Sequence, residues 1–265
     1  MDEDLTHIFK KEPVRPGLGT EIIGQKIYSY DMVTSTNDLA HYLARNGEPE
    51  GAVIFAKGQT QGRGRLGNSW VSPYDQGLYF SFVLRPQISA AMAPRVTLMV
   101  ALAVAVALRD IHIEGVAIKW PNDVLIKEKK ICGILTEMHL EAERVDYLVI
   151  GVGLNVNASG LALPQGATSL KEEANRTFDI ADLSHIIIKR LDHYYDFLRK
   201  GRFADILAEV KGFSALILGG RVRVEWQDKA VEGYVVDFDE DGALIVRKDN
   251  GLSERILTGH LIRLD

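Results

Sequence analysis

The sequence predicts an α+β fold followed by a small β-rich domain. Three strands are predicted in close succession, at 116–119, 124–127 and 131–139. The links between them are so short that neighbouring strands must run antiparallel, which excludes a repeated βαβ series. Ahead of them, a helix over 94–109 is apolar nearly all round, so it needs a sheet to pack against. After residue 219 the chain changes to short strands separated by turn residues, which is typical of a small barrel.

Apolar periodicity and chain-breaking residues place the other elements. Residues 26–33 alternate as a strand does, and Ser35 or Thr36 can cap a helix that Gly47 ends. A polar loop is predicted over 160–177. Further strands are predicted at 52–57, 78–84 and 146–152, and further helices at 179–199 and 202–210.

These elements divide the chain into three predicted segments. Residues 1–20 form an N-terminal extension interrupted by prolines and glycines, 21–218 a first domain and 219–265 a C-terminal domain. Within the last segment, strand-like stretches lie at 221–226, 230–239, 243–248 and 253–259.

Composition excludes several classes of protein. The chain has 265 residues and a net charge of −5, which argues against nucleic-acid binding by the whole chain. Its one cysteine, Cys132, excludes an internal disulfide and a cysteine-rich zinc site. The polar, acidic start is not a signal peptide, and the longest apolar stretch, between Arg95 and Arg109, is too short to span a bilayer. A cytoplasmic protein is therefore expected.

A glycine-rich loop is the first candidate for function. Residues 62–67 read G-R-G-R-L-G, which matches G-x-G-x-x-G. A dinucleotide-binding loop must open a helix, and the residues that follow cannot; a kinase loop would have valine where Ser69 stands. Two arginines, Arg63 and Arg65, instead alternate with glycines, and such a flexible cationic loop suits a polyanion that it encloses. A solvated basic turn remains the alternative for the fragment alone.

Four other segments carry polar or glycine residues near predicted strand ends: 35–37 (STN), 119–123 (KWPND), 130–135 (KICGIL) and 151–157 (GVGLNVN). Taken singly, each has an ordinary structural interpretation. The first is a helix cap, the second a turn, the third a surface lysine before a buried strand, and the fourth a packing site.

Together with the arginine loop, these segments resemble the biotin–protein ligases, in order and from about residue 21 to the C-terminus. The resemblance implies a mixed sheet with packed helices, like that of class II aminoacyl-tRNA synthetases, and a C-terminal SH3-like barrel. It implies the activity of a biotin–[acetyl-CoA-carboxylase] ligase. Biotin and MgATP would form biotinyl-5′-AMP and pyrophosphate, and a lysine of a biotin carrier domain would then take the biotinyl group. No tightly bound cofactor and no metal site on the protein are implied.

The resemblance also implies roles for residues at the motif positions. Lys130, Arg65 and Arg63 are the candidate catalytic residues, because cations can neutralise the two anionic substrates. Biotin contacts are implied for Ser35, Thr36, Asn37, Gln59, Arg63, Gly64, Arg65, Lys130, Gly133 and Leu135. ATP contacts are implied for Arg63, Arg65, Trp70, Asn122, Lys130 and Asn155. Asp123 is a candidate to orient the incoming lysine or the metal.

Two alternative activities remain open at this point. A lipoate or octanoyl ligase shares the implied fold but has a Gly-Gly-His loop signature that is absent here. A non-catalytic biotin-binding regulator would not need Arg63, Arg65 and Lys130. Too few residues precede the first strand for the DNA-binding domain of some members, so no DNA partner is expected. No membrane partner is expected either, and a homodimer is left open.

Overall fold

The computed structural model describes residues 12–13, 19–142, 144–216, 218–226 and 229–264, so most of the predicted N-terminal extension lies outside the described residues. The described residues form an eight-stranded sheet, five α-helices and a second, five-stranded sheet. The strands of the first sheet are β1 (Glu12–Pro13), β2 (Lys26–Val33), β3 (Ala52–Gln59), β4 (Gly77–Leu84), β5 (Val116–Lys119), β6 (Asp123–Ile126), β7 (Lys129–Glu141) and β8 (Arg144–Asn155). The helices are α1 (Thr36–Arg45), α2 (Ala93–Asp110), α3 (Leu170–Ala174), α4 (Ile180–Arg199) and α5 (Phe203–Phe213).

The large sheet has the order β1-β2-β3-β4-β8-β7-β6-β5. Strands β2 and β3 run parallel, with α1 as the crossover between them, and the other neighbours are antiparallel. The sheet is therefore mixed, and the predicted antiparallel succession β5-β6-β7 is confirmed. In the long β7–β8 hairpin Gly133 is paired with Gly153, and Leu135 with Gly151.

Helices cover the two faces of this sheet unequally. Helices α2, α4 and α5 pack on one face, where every residue of α2 from Leu98 to Leu108 is buried. Together with the turn before it, the helix over Ala90–Asp110 is long and apolar enough to cross a membrane by length and composition alone, although the apolar stretch between Arg95 and Arg109 is shorter. Its burial against the sheet identifies it as a core helix. Among the helices of the described residues, α1 packs on the other face.

The structure differs from the sequence predictions at three local points. The predicted loop over 160–177 contains the short helix α3, because buried Leu170 anchors it and Ser169 caps it through the amide of Glu172. Ser35 does occupy the N-cap of α1, but its side chain makes no capping hydrogen bond. The last strand of the second sheet, β13, lies beyond the predicted strands and pairs with the distant β9.

The second sheet is antiparallel, and its strands are β9 (Arg221–Trp226), β10 (Lys229–Phe238), β11 (Leu244–Arg247), β12 (Ser253–Ile256) and β13 (His260–Arg263). The chain is thus α+β with a C-terminal antiparallel β domain, as predicted. The boundary between residues 218 and 219 remains a prediction.

The turn between β10 and β11 joins the β domain to the rest of the protein. The indole Nε1 of buried Trp120 donates to the carbonyl oxygen of Gly242 at 3.1 Å. An ideal Cβ on Gly242 would lie 2.4 Å from Cδ1 of Leu98, so only glycine allows the turn to approach α2 this closely. Arg95 of α2 forms an ion pair with Asp241 at the same turn. These contacts fasten the β domain beside α2.

We expect Trp120→Phe to lower the free energy of unfolding by about 1–3 kcal/mol, because the buried carbonyl of Gly242 would lose its donor. Urea denaturation followed by fluorescence and circular dichroism measures the change. Trp226→Phe is the control, because that ring is only partly buried. Equal losses in the two variants would contradict a specific role for the Trp120–Gly242 hydrogen bond.

Candidate active site

A cleft opens on the face of the large sheet that carries α1. The empty space inside it is about 440 Å³, which includes space open to solvent. It is lined by Ser35, Thr36, Asn37, Gln59, Arg63, Gly64, Arg65, Trp70, Asn122, Lys130, Gly133, Ile134, Leu135, Gly151, Val152 and Gly153. Every residue predicted to contact biotin lines this cleft, and so do all the predicted ATP contacts except Asn155.

Asn155 lies apart from the cleft lining. It is buried at the end of β8, and its Nδ2 donates to the carbonyl oxygen of Thr168 at 3.0 Å. In this structure it ties β8 to the segment that leads into α3. Its predicted place on the nucleotide side stays a prediction.

Glycines form the floor of the cleft. An ideal Cβ on Gly153 would lie 2.4 Å from Nε1 of Trp70, and one on Gly133 would lie 2.8 Å from its Cζ3. The indole therefore packs directly on this paired glycine backbone. Gly151 gives the same close approach to another side chain, since a Cβ there would lie 2.1 Å from Oδ1 of Asn37. Among the described residues, the buried Nε1 of Trp70 has no hydrogen-bond acceptor.

Helix α1 supplies a polar wall at its N-terminus. The backbone N–H of Thr36 donates to Oε1 of Gln59 at 2.9 Å, and Nε2 of Gln59 donates to Oγ of Ser72 at 2.9 Å. Oγ of Ser81 lies 2.7 Å from Oγ1 of Thr36 and 2.6 Å from Oδ1 of Asn37. Ser81 is fully buried on β4 and was not predicted, because no motif includes it. The wall is thus a connected set of donors and acceptors.

The loop with the two arginines is held at Arg63. Its Nη2 lies 2.9 Å from Oδ1 of Asp38 on α1 and 2.7 Å from Oε2 of Glu137 on β7. The loop backbone is closed by a bridge between Arg63 and Ser69 and by a hydrogen bond from the Trp70 N–H to the Gly62 carbonyl at 2.8 Å. The cationic loop therefore lies against two carboxylates.

Arg65 reaches across to the C-terminal β domain. It donates through Nη1 to Oδ1 of Asn122 and through Nη2 to Oγ1 of Thr258, the latter at 2.7 Å. The carbonyl oxygen of Gly259 is 3.4 Å from Nη1. Burial lowers the pKa of this guanidinium, while the nearby charge of Asp123 opposes the shift. A partly buried charge acts more strongly on an anion beside it than a fully exposed charge does, because solvent screens it less.

Lys130 lies between the glycine floor and the KWPND turn. Its Nζ is 2.7 Å from Oδ1 of Asp123 and 5.4 Å from the ring centroid of Trp70. Nδ2 of Asn122 donates to the same oxygen of Asp123 at 3.0 Å. The ammonium group is thereby directed toward the cleft, with a single carboxylate as its partner among the described residues.

These contacts bring a wall of amide and hydroxyl groups and three cationic side chains together around one cleft, an arrangement that suits a small anionic molecule. The comparisons with known proteins agree with that class. Residues 29–155 match the biotin/lipoate A/B protein ligase family, and residues 217–260 match the biotin protein ligase C terminal domain. The chain belongs to this family, among the biotin protein ligases.

Two relatives and two solved structures illustrate the similarity. The bifunctional ligase/repressor BirA of Bacillus subtilis is 36% identical over 91% of this chain and 75% of the relative. The biotin–[acetyl-CoA-carboxylase] ligase of Paracoccus denitrificans is 31% identical over 82% of this chain and 92% of the relative. The Aquifex aeolicus biotin protein ligase in complex with biotin and ATP has a TM-score of 0.77 and 30% identity, covering 90% of this chain and 99% of that chain. A Leishmania major biotin protein ligase with biotinyl-5-AMP has a TM-score of 0.60 and 26% identity, covering 87% and 98%.

Proposed function

We propose that this protein activates biotin with ATP and transfers it to a lysine of a biotin carrier domain. The observation that carries the proposal is the convergence of Arg63, Arg65 and Lys130 on one cleft with a polar wall. Three cationic side chains on one cleft suit a reaction between two anions, because they can neutralise the charge of both. A biotin ligase and a lipoate ligase of this fold differ in the carboxylic acid that they activate. The groups of the polar wall, which would contact the ring of that acid, therefore distinguish the two activities.

The wall suits a ureido ring better than a dithiolane. A ureido group has two N–H donors and one carbonyl acceptor, and the side chains of Thr36, Asn37 and Gln59 offer both complementary kinds of group. The glycine floor leaves space for a flat bicyclic ring, and Leu135 adds an apolar contact for its carbon chain. The dithiolane ring of lipoate has no N–H or carbonyl group to join this network of amides and hydroxyls, so it would form fewer hydrogen bonds with the wall than a ureido ring.

In the first step, a carboxylate oxygen of biotin attacks the α-phosphorus of ATP. The new P–O bond forms as the bond to pyrophosphate breaks, giving biotinyl-5′-AMP. Lys130 contributes by leaving Asp123 and holding the carboxylate against the α-phosphate oxygens, and Arg63 and Arg65 neutralise phosphate charge. Magnesium enters as the MgATP complex and is held mainly by phosphate oxygens. The described residues include no group of three or more His, Cys, Asp or Glu side chains placed to hold a metal.

In the second step, the neutral amine of the acceptor lysine attacks the carbonyl carbon of the mixed anhydride. The C–N bond forms as AMP leaves, and the extra proton of the amine passes to solvent or to a carboxylate beside the cleft. The carboxylate of Asp123 lies 2.7 Å from Nζ of Lys130. From there it would orient the incoming amine by accepting a hydrogen bond, or accept its proton. No nucleophile on the enzyme is required, because the adenylate is already the activated acyl group.

The direct test is to incubate the purified protein with MgATP and either biotin or lipoate. Pyrophosphate release and acyl-AMP detected by mass spectrometry are the measurements. We expect biotinyl-AMP and pyrophosphate with biotin, and neither with lipoate. Lipoyl-AMP alone would assign the protein to the sister activity, and tight biotin binding without an adenylate would make it a biotin-binding regulator.

A further inference from the structure

One carboxylate beside the cleft contacts both the polar wall and the arginine loop. Glu137 lies on β7, two residues after the KICGIL motif ends, and its side chain is 27% exposed. Its Oε2 accepts a hydrogen bond from Nδ2 of Asn37 at 2.7 Å and one from Nη2 of Arg63 at 2.7 Å. Asn37 belongs to the wall assigned to biotin, and Arg63 belongs to the loop assigned to phosphate. A single oxygen atom therefore joins the two substrate subsites.

The contact determines how the Asn37 amide is turned. With Nδ2 directed at a carboxylate, the amide oxygen must face the opposite way, where Oγ of Ser81 lies 2.6 Å from it. A carboxylate has no hydrogen to donate, so the reverse orientation of the amide would place two acceptors against each other. Glu137 thus sets which polar atom of Asn37 is available along the cleft.

The same oxygen holds the loop. Asp38 is the second carboxylate on Arg63, but its side chain is more exposed, at 47%, so its attraction is more weakened by solvent. Nε2 of His41 lies 3.5 Å from Oε2 of Glu137 and adds a third neighbour. Burial raises the pKa of Glu137, but hydrogen bonds from His41 and Asn37 and the charge of Arg63 outweigh that effect and keep its pKa below the usual range. The carboxylate is therefore ionised at neutral pH.

We propose that Glu137 is a positioning residue that orients the Asn37 amide for biotin and holds the Arg63 loop over the cleft in the unliganded protein. The proposal rests on the proposed function for the biotin half and on geometry alone for the loop half. It predicts that one isosteric substitution, Glu137→Gln, changes both subsites together. The carboxamide has the same shape but can donate as well as accept, and it carries no charge to hold the guanidinium.

Two measurements test the orientation of the Asn37 amide and the holding of the Arg63 loop separately. Biotin affinity without ATP, measured by calorimetry, should fall about tenfold in Glu137→Gln, as expected for the loss of one charge-assisted hydrogen bond. Cleavage by trypsin after Arg63 in the unliganded protein should become about tenfold faster, because the arginine is no longer held.

Asp38→Asn should also accelerate cleavage, yet lower biotin affinity less than Glu137→Gln does, because Asp38 does not touch the Asn37 amide. Glu141→Gln, the same change on the exposed end of β7, should alter neither measurement.

A double-mutant cycle tests whether Glu137 acts through Asn37. In an Asn37→Ser background, Glu137→Gln should have little further effect on biotin affinity, since the amide that it orients is gone. A merely structural role would lower thermal stability and leave the two mutations additive. Additive losses in the cycle, or cleavage after Arg63 at the wild-type rate in Glu137→Gln, would overturn the proposal. If wild-type protein bound no biotin, the proposed function would fail, while the cleavage rates would still decide whether Glu137 holds Arg63.

Discussion

Replacing Lys130 with alanine should lower the rate of adenylate formation by about 10²–10³-fold while the protein stays folded. The ammonium group is proposed to bind the biotin carboxylate and the α-phosphate oxygens together, and removal of one preorganised charge donor has an effect of this size. Its present partner, Asp123, lies 2.7 Å away and is not buried alone after the change, because Asn122 still donates to it. Stability should therefore change little. Pyrophosphate release with saturating biotin and MgATP is the measurement.

Lys129→Ala is the matched control for this experiment. Lys129 is the neighbouring residue on β7, its side chain is exposed, and it does not line the cleft. The control should retain the wild-type rate. Near-normal turnover in Lys130→Ala would remove this lysine from the mechanism, and a rate loss of equal size in both variants would point to a general effect of charge at this end of the strand.

Adding one methyl group to Gly151 should weaken biotin binding by about 10²-fold, the scale on which a displacement of about 1 Å disturbs a site. The new Cβ would lie 2.1 Å from Oδ1 and 3.0 Å from Cγ of Asn37, so the amide must move. It has no free direction in which to move, since Glu137 holds its nitrogen and Ser81 lies against its oxygen. The free energy of unfolding should also fall by about 1–3 kcal/mol, because overpacking strains a closely packed site.

Gly212→Ala tests whether the effect is specific to the floor of the cleft. Gly212 is in α5, and an added Cβ there would meet nothing within 4 Å. Alanine at this position should leave biotin affinity unchanged and raise stability by about 0.5–1 kcal/mol, because glycine is a poor helix former. Biotin affinity in Gly151→Ala that equals the wild-type value would show that the Asn37 amide does not contribute to the biotin site.

The sequence predicted the elements that have a strong local pattern, and it was weaker where distant contacts decide. The alternating strand β2, the apolar strand β4 and the apolar helix α2 lie within a few residues of their predicted bounds. Helix α3 has only five residues, too few for a helical period to be visible, and depends on the burial of Leu170. Strand β13 is four residues long and is stabilised by pairing with β9.

The same distinction applies to the cleft. Residues within the motifs, such as Asn37 and Lys130, could be found because their order along the chain is itself a pattern. Glu137 and Ser81 could not, since each enters the site only through strand pairing and hydrogen bonds to residues far away in the sequence. Glu137 is 100 residues from Asn37, and Ser81 is 44 residues from it. The alternation along β7 does place Glu137 on the face of Gly133 and Leu135, which is the one signal that could have suggested it.

The hydrogen bond between Arg65 and Thr258 also affects the order in which the cleft is completed during synthesis. The two residues are 193 positions apart, so the loop is synthesised long before the segment that receives its arginine. At a ribosomal rate of about 5–20 residues per second, the interval is roughly 10–40 s. During that interval the nascent chain can form the large sheet and the arginine loop without the partner from the β domain. The cleft reaches its final form only when the last strands have left the ribosome, so premature termination near the C-terminus would release chains that are largely folded but incomplete at Arg65.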